Sequence, residues 1–414
     1  MMSKKKLHLF EGFGVELEYM IVDRDTLNVK PMVDTLIHAV AGRYIDEVEQ
    51  GDIAWSNELV LHVLELKTNG PRATLPGLST RFHKNILKIN QILADHHACL
   101  LPTGAHPWMD PDREMILWPH GHSEIYESFH RIFNCRGHGW ANLQSAHLNL
   151  PFGNDEEFAR LHNAIRLLLP IIPALCASTP LLNGKKTGSI DSRLTFYGKN
   201  QVKIPSITGK IIPEAVSSQR EYEEVILEPM YSDIDPHDPD KVLQYEWLNS
   251  RGAIARFDRS AIEIRVIDIQ ESPMMDLSLI QLLVSVLHCL TEETWCSSLE
   301  QSRLSEDQLL SLFLKTVEEG SSSLIEDHAY LQQFGLNKNK LTARELWQHL
   351  FEAALSRHDL DQDAQTWIKQ LLIKGNLSER ILAALGANPT EAHMKKIYEQ
   401  LARCLADNSF FPGQ

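Results

Sequence analysis

The 414-residue chain has no apolar run long enough to cross a bilayer, which takes about 20 residues as a helix. Its most apolar stretch, Leu167 to Leu182, is broken by Pro170, Pro173 and Pro180. The basic start, Met1 to Leu7, is not followed by the apolar segment of a signal peptide. Cys99, Cys135, Cys176, Cys289, Cys296 and Cys404 are scattered with no C-x-x-C pair, so no disulfide framework or cysteine-ligated zinc site is indicated. The expectation is reduced thiols in a cytoplasmic protein that does not engage a membrane. Positive charge is in deficit, with 40 Lys+Arg against 55 Asp+Glu and a net charge of −15. Such a chain offers no broad footprint to a phosphate backbone, which argues against nucleic-acid binding. The P-loop, the G-x-G-x-x-G turn and the H-E-x-x-H helix are missing too, along with the nucleotide folds and zinc peptidases they mark. There is no internal repeat and no low-complexity tract.

What remains is ordinary globular composition, 43% hydrophobic and 23% charged, with a surplus of carboxylates suited to hard divalent cations. The chain has two textures. From residue 7 to about 270, strand-like runs alternate with helices and loops; beyond that the pattern is almost wholly helical. Ser272-Pro273 predicts a capped helix through Leu290. Ser305-x-x-Gln308 and Thr342-x-x-Glu345 are capping boxes, and Asn388-Pro389 precedes a last helix. The predicted division is residues 1–300 and a helical subdomain over 301–414. Within the first part, Leu78 to His97 has helical spacing. Asn154 caps a helix running towards Ile172, bent or ended by Pro170 and Pro173. Met230 to Asp240 is predicted as an acidic, proline-punctuated loop.

Four strands carry the chemistry. In Gly14–Val22, Glu16 and Glu18 share one face while Val15, Leu17, Tyr19 and Ile21 take the other. Adjacent like charges want a cation, although E-x-E alone fits a solvated outer face better. Glu58 to Leu66 is predicted as a buried strand whose two acids need a partner. Glu58 and Glu65 are an odd seven residues apart, so either a bulge restores their common face or one lies beyond the strand end. Ser145 to Leu150 puts His147 and Asn149 on one face; a lone histidine there is more often structural than a ligand. In Ile262 to Asp268, Glu263 and Arg265 share a face, which fits a simple ion-paired strand as readily as a site. Together the four describe a sheet with an apolar back and a front bearing acids, a histidine and an arginine. That face suits Mg²⁺ with a nucleoside triphosphate, the arginine lying against phosphoryl oxygens.

The ordered set resembles the glutamate–cysteine ligase type 2 family, the carboxylate–amine ligases. It runs through Gly14-Val15-Glu16-Leu17-Glu18-Tyr19, Glu58 and Glu65, His106-Pro107-Trp108, His147, Pro170, Ala177-Ser178-Thr179-Pro180, Gly184, Thr187-Gly188, Ser192-Arg193 and Glu263-Ile264-Arg265-Val266-Ile267-Asp268. The resemblance covers roughly residues 10–290. It implies an α+β, glutamine-synthetase-like fold, a curved antiparallel sheet forming an ATP–metal funnel flanked by helices. Position by position it implies Glu16, Glu18, Glu58, Glu65, His147 and Glu263 as metal ligands for Mg²⁺, with Mn²⁺ as the alternative. Arg265 and Arg193 match phosphate-facing arginines, and Asn149 joins them at the nucleotide. The implied activity is ATP-dependent joining of a carboxylate, typically the γ-carboxylate of glutamate, to an amine through an acyl-phosphate, as in glutathione biosynthesis. The implied partners are small amino-acid substrates, with room for a homodimer.

The usual H-V-H-V-G strand of the family reads His147-Leu148-Asn149-Leu150-Pro151 here, which is similar to the proteobacterial glutamate–cysteine ligases. The tract from Tyr197 to Ser250 fits the family pattern poorly. Two rival readings stand beside the ligase. One is a zinc hydrolase drawing on His120, His122, His130, His138 and His147. The other is a non-catalytic relative that binds a nucleotide or small molecule; nucleotide binding without turnover would separate it from the enzyme.

Overall fold

The structure, a computed structural model, describes residues 6–357 and 359–413, so the basic start as far as residue 5 lies outside the described residues. Strands appear where branched and aromatic residues alternate with polar ones. They are β1 (Gly14–Asp23), β2 (Glu47–Gln50), β3 (Ile53–Asn57), β4 (Val63–Thr68), β5 (Ala98–Leu101), β6 (Ser145–Pro151), the small hairpin of β7 (Leu181–Leu182) and β8 (Lys185–Lys186), β9 (Ala253–Arg256) and β10 (Ala261–Asp268). Eight of these form one open antiparallel sheet in the order β2-β3-β4-β1-β6-β10-β9, with β5 paired to the far half of β1.

The sheet is two-faced. Val15, Leu17, Tyr19, Leu64, Leu66, Ala146, Leu148, Ile262 and Ile264 are buried on its back, in one core with the helices Leu78–Ala94, Asp155–Leu168 and Pro273–Thr291. This apolar layer drives the fold, each large aliphatic side chain contributing about 1.5–3 kcal/mol on burial. The helix Pro273–Thr291 is buried almost all round because it lies between the sheet's helical backing and the helices Ala343–Arg357 and Gln362–Lys374. Contrary to the reading of the sequence, two helical stretches among the described residues are long and apolar enough to cross a membrane, Asp155–Cys176 and Pro273–Thr291. In each, 89% of the apolar window is buried within the chain.

Beyond residue 300 the chain is helical apart from a short two-stranded ladder, Leu324–Ile325 with Leu341–Thr342. Ser305 with Gln308, and Thr342 with Glu345, form the reciprocal caps that their sequences predict. Leu309, Phe313, Trp347 and Ile368 continue the main core, while Leu377, Ile381 and Tyr398 cover Met20, Val22 and Leu101. A buried clamp ties this layer to the end of β10. Arg380 grips the fully buried carboxylate of Glu271 and also donates to the carbonyl of Phe411, whose own N–H reaches Glu271 at 3.3 Å.

Three expectations need correction. Glu58 to Leu66 is not one strand: β4 starts at Val63, and Glu58 follows the end of β3 before a turn. The second alternative therefore holds, with Glu58 beyond a strand end. Met230 to Asp240 is not an open loop, since Glu228–Ile234 is helical and Asp235–His237 is a 3₁₀ turn. Pro229, just before it, and Pro236 sit in first turns, where a missing N–H breaks no helical bond, and Pro239 lies in the turn that follows. Ser272 and Pro273 do open a helix, but the Ser272 hydroxyl makes no capping bond.

Candidate active site

The polar face of the sheet is built by register. Glu16 lies opposite His147 and Glu18 opposite Glu65, while Glu263 lies opposite Asn149, so β4, β1, β6 and β10 bring their polar residues side by side. Gly14 lies opposite Asn149, and a Cβ there would come 2.9 Å from the Asn149 Cβ; the missing side chain lets the amide stand upright. A bulge in β10 completes the face. Ile264 pairs with Leu148 but Ile267 pairs with Ala146, so β10 carries one extra residue between them. Asp268, an odd distance from Glu263, is thereby turned to the front, opposite Ser145.

His147 is the hub. Its Nδ1 lies 2.8 Å from Glu16 Oε2, and its Nε2 is 2.9 Å from Ser145 Oγ and 3.7 Å from Glu18 Oε1. Asn149 donates to Glu16 at 3.1 Å, and the Ser145 N–H donates to Glu18 at 2.6 Å. Glu65 accepts from Ser56 at 2.6 Å and pairs with Lys67 at 3.0 Å. Donor atoms of Glu16, His147 and Glu263 fall within 4.8 Å of one another, as do those of Glu18, Glu65 and His147. Two groupings thus share one imidazole, and Glu58 belongs to neither. It lies on the wall of the adjoining cavity, about 350 Å³, with Glu18, His147, Arg193 and Arg265.

The two arginines have different surroundings. Arg265 is 25% exposed, with Nε 2.9 Å from Glu263 and Nη1 3.4 Å from the Asn249 carbonyl. Arg193 is buried at the cavity floor and donates through Nε to Asp268. Asp268 also accepts from the Ser178 N–H at 2.8 Å and the Thr179 hydroxyl at 3.1 Å.

Crowding sets the protonation. Burial, then the charges of Glu18 and Glu65, push Glu58 well above the usual carboxyl range. Burial likewise raises Glu18 and Glu65. Glu16 is half-buried, and although burial pushes it up, its hydrogen bond with His147 holds it below the ordinary value. Burial opposes the charge on His147, yet the Glu16 hydrogen bond and the neighbouring carboxylates lift it to about 9.

These shifts predict a pH-dependent stability. Raised acids bind protons more tightly folded than unfolded, so they lose stability for the fold as pH climbs past the normal carboxyl range. His147 adds stability that is complete below 6.5 and lost as pH rises through about 9. Of these site groups Glu16 acts in the opposite sense, losing its contribution at acid pH. Metal-free protein should therefore melt at falling temperatures between pH 6.5 and 9, and millimolar Mg²⁺ or Mn²⁺ should restore more of the melting temperature at the alkaline end. Calorimetry with and without chelator checks this; a flat profile unmoved by either cation would contradict it.

The crowded histidines do not gather. His120 pairs with Asp34 and His122 with Asp46, His138 lies against Asn142 and Asn183, and His130 receives the Cys135 N–H. Of the five, only His147 enters a potential metal grouping among the described residues, so the zinc reading has no site. Ser145 and Lys67 are contributors that sequence reasoning passed over, although each shares parity with a named residue of its strand. Ser56 gave no such signal. Nor did the aromatic wall of the cavity, formed by Tyr126, Phe129, Trp140 and Trp247.

The profile of glutamate–cysteine ligase family 2 (GCS2) matches residues 12–400. The chain belongs to this family. An uncharacterized protein of Archaeoglobus fulgidus is 31% identical over 96% of this chain and 99% of its own length. A Ruegeria pomeroyi protein provisionally named glutamate–cysteine ligase 2 is 25% identical over 51% of this chain and 50% of its own. The chain thus aligns with about half the length of that named relative. Among solved structures, the glutamate–cysteine ligase of Francisella tularensis in complex with AMP superposes with a TM-score of 0.60, at 10% identity, covering 99% of this chain and 91% of that one. A bifunctional glutathione synthetase of Pasteurella multocida gives 0.58 at 11% identity, over 96% of this chain and 53% of its own. Family membership and shared fold thus agree on a ligase scaffold: mixed helix and open antiparallel sheet, with the acids on the sheet's polar face.

Proposed function

We propose that the protein is an ATP-dependent carboxylate–amine ligase. The observation that carries this reading is the convergence of Glu16, Glu18, Glu65, His147 and Glu263, with Arg265 beside them and with Glu18, His147 and Arg265 lining one cavity. So many carboxylates held close and partly desolvated make an oxygen-rich donor set, which fits Mg²⁺ or Mn²⁺ better than zinc. Glu16, His147 and Glu263 would hold one cation, and Glu18 and Glu65 with the same imidazole a second. The cations would supply charge neutralisation for phosphoryl oxygens. That the Francisella enzyme, which shares this fold, was solved with AMP supports nucleotide binding by this chain.

The chain's own residues orient and neutralise. Arg265 offers its free guanidinium edge to the migrating phosphoryl group, while Glu263 and the Asn249 carbonyl fix its direction. Arg193, bound to Asp268, reaches the Arg265 carbonyl through Nη1 and Nη2 at 3.4 Å and so backs the strand that carries it. A substrate carboxylate takes the γ-phosphoryl group, releasing ADP. The amine nitrogen then forms the C–N bond as the C–O bond to phosphate breaks, and the net change releases one proton. Catalysis of this kind is mostly positioning and charge stabilisation.

A matrix of amino acids against amines, with ATP and Mg²⁺ and read by ADP and phosphate release, tests the reading. At least one pair should give turnover that needs both substrates. Nucleotide binding with no turnover across the matrix would overturn it in favour of a non-catalytic relative.

A further inference from the structure

Resting on the ligase reading, we propose that Arg251 is a positioning residue for Arg265: it locks residues 249–252, the run-in to β9, into a row of carbonyls that aims the Arg265 guanidinium into the cavity. The run-in lies against β10 where the bulge falls. Arg265 donates its N–H to the Gly252 carbonyl at 2.9 Å and reaches the Asn249 carbonyl through Nη1 at 3.4 Å. The Arg251 carbonyl between them accepts from the Tyr197 hydroxyl at 3.5 Å, and the same hydroxyl bonds with the Arg265 side chain. Tyr197 and Arg265 both line the cavity. Close approach is built in at Gly252, where a Cβ would come 2.8 Å from Val266 Cγ1.

Carbonyls can aim a guanidinium only if their own backbone cannot turn, and this backbone is pinned from behind. The Arg251 guanidinium forks onto Glu214, with Nε at 2.6 Å and Nη2 at 2.7 Å. Its Nη1 donates to the Ser206 carbonyl and to Asn249 Oδ1, each at 3.1 Å. Asn249 Oδ1 also accepts the Arg251 N–H at 3.1 Å, and Asn249 Nδ2 donates to the Tyr222 hydroxyl at 2.7 Å. Asn249 and Tyr222 are fully buried and Arg251 is 3% exposed. The N–H groups of Ser250 and Gly252 reach the carbonyls of Ile207 and Ile211 at 2.9 and 2.7 Å. One guanidinium thus holds a carboxylate, a carbonyl and an amide together, which its flat five-donor fork can do and a lysine ammonium cannot. Arg251 does not line the cavity, so its effect on a ligand passes through Arg265.

Calorimetric titration of the full chain with ATP and with ADP, each with Mg²⁺, tests the proposal without turnover. A guanidinium aimed at the migrating phosphoryl group favours the nucleotide that carries it. Wild type should bind ATP more tightly than ADP, and Arg265→Lys should lose about tenfold or more of that preference. Arg251→Lys should lose a comparable share, keep its ADP affinity within about twofold, and add nothing in the Arg265→Lys background. Tyr197→Phe removes one hydroxyl, keeps the ring, and should move the preference the same way by a smaller step; it serves if the lysine variant fails to fold. Equal losses for ATP and ADP, an unchanged preference, or losses that add to those of Arg265→Lys would make Arg251 merely structural and overturn the proposal. Wild type that binds neither nucleotide would sink the ligase reading instead. The Arg265 guanidinium resonance, assigned by its absence from Arg265→Lys, then decides: it should be sharp in wild type and broadened in Arg251→Lys, and equal line widths would overturn the proposal.

Discussion

Arg265→Lys should stay folded, keep its melting temperature within a few degrees, and lose about 10³-fold or more in ATP turnover. The expectation follows from shape rather than charge. Lysine could still neutralise Glu263, which Arg265 meets through Nε alone at 2.9 Å. It could not also present a flat edge with paired donors to a phosphoryl group. The fold should barely notice, because the side chain is 25% exposed and its bonds beyond Glu263 are a long one to the Asn249 carbonyl and one with the Tyr197 side chain. ADP release under a working substrate pair, with thermal melting on the same preparation, decides the matter. Turnover preserved in the lysine variant would reduce Arg265 to a structural partner of Glu263.

Arg193→Met should do the opposite and unfold the chain more readily, by about 3–5 kcal/mol. Arg193 and Asp268 are both essentially without solvent contact, and no water can take over from either when its partner goes. Asp191 stands close by, its carboxyl raised well above the usual range by burial and then by the charge of Asp268. Removing the guanidinium leaves two buried acids facing each other. Methionine fills the volume, so the loss reads the charge and not a cavity. Denaturant titration checks the value; a loss under about 1 kcal/mol, typical of exposed pairs, would show the pair to be dispensable.

The contrast between these arginines was not legible in the chain, where both sit in plausible motifs. What separates them is Asp268, and the bulge in β10 decides which way Asp268 points. Strict alternation from Glu263 would send it into the apolar back. Where alternation is unbroken, reading was easy: β1, β6 and β10 fall within a residue or so of their expected bounds, because one polar and one apolar face leave a single way to lay each strand down. β3 escaped, since Ile53 to Ser56 are buried on both faces and carry no period. Glu58 could be named but not placed, because the turn after β3 obeys no face rule. The aromatic wall was invisible for a related reason. Its members come from separate short helices between residues 123 and 248, and only the tertiary fold brings them together.

The clamp of Glu271, Arg380 and Phe411 imposes a timetable on the ribosome. Glu271 is translated three residues after β10 ends, but the Phe411 N–H that reaches it comes 140 residues later. At about 5–20 residues per second, roughly 7 to 28 s separate the two. Through that interval every acid-bearing strand has been synthesised, while Glu271 still lacks contacts it needs in order to be buried. The nascent sheet must either leave that corner in water or lean on a chaperone. A message that stops short of Phe411 would therefore yield a chain with all its acidic strands and an open seam behind them.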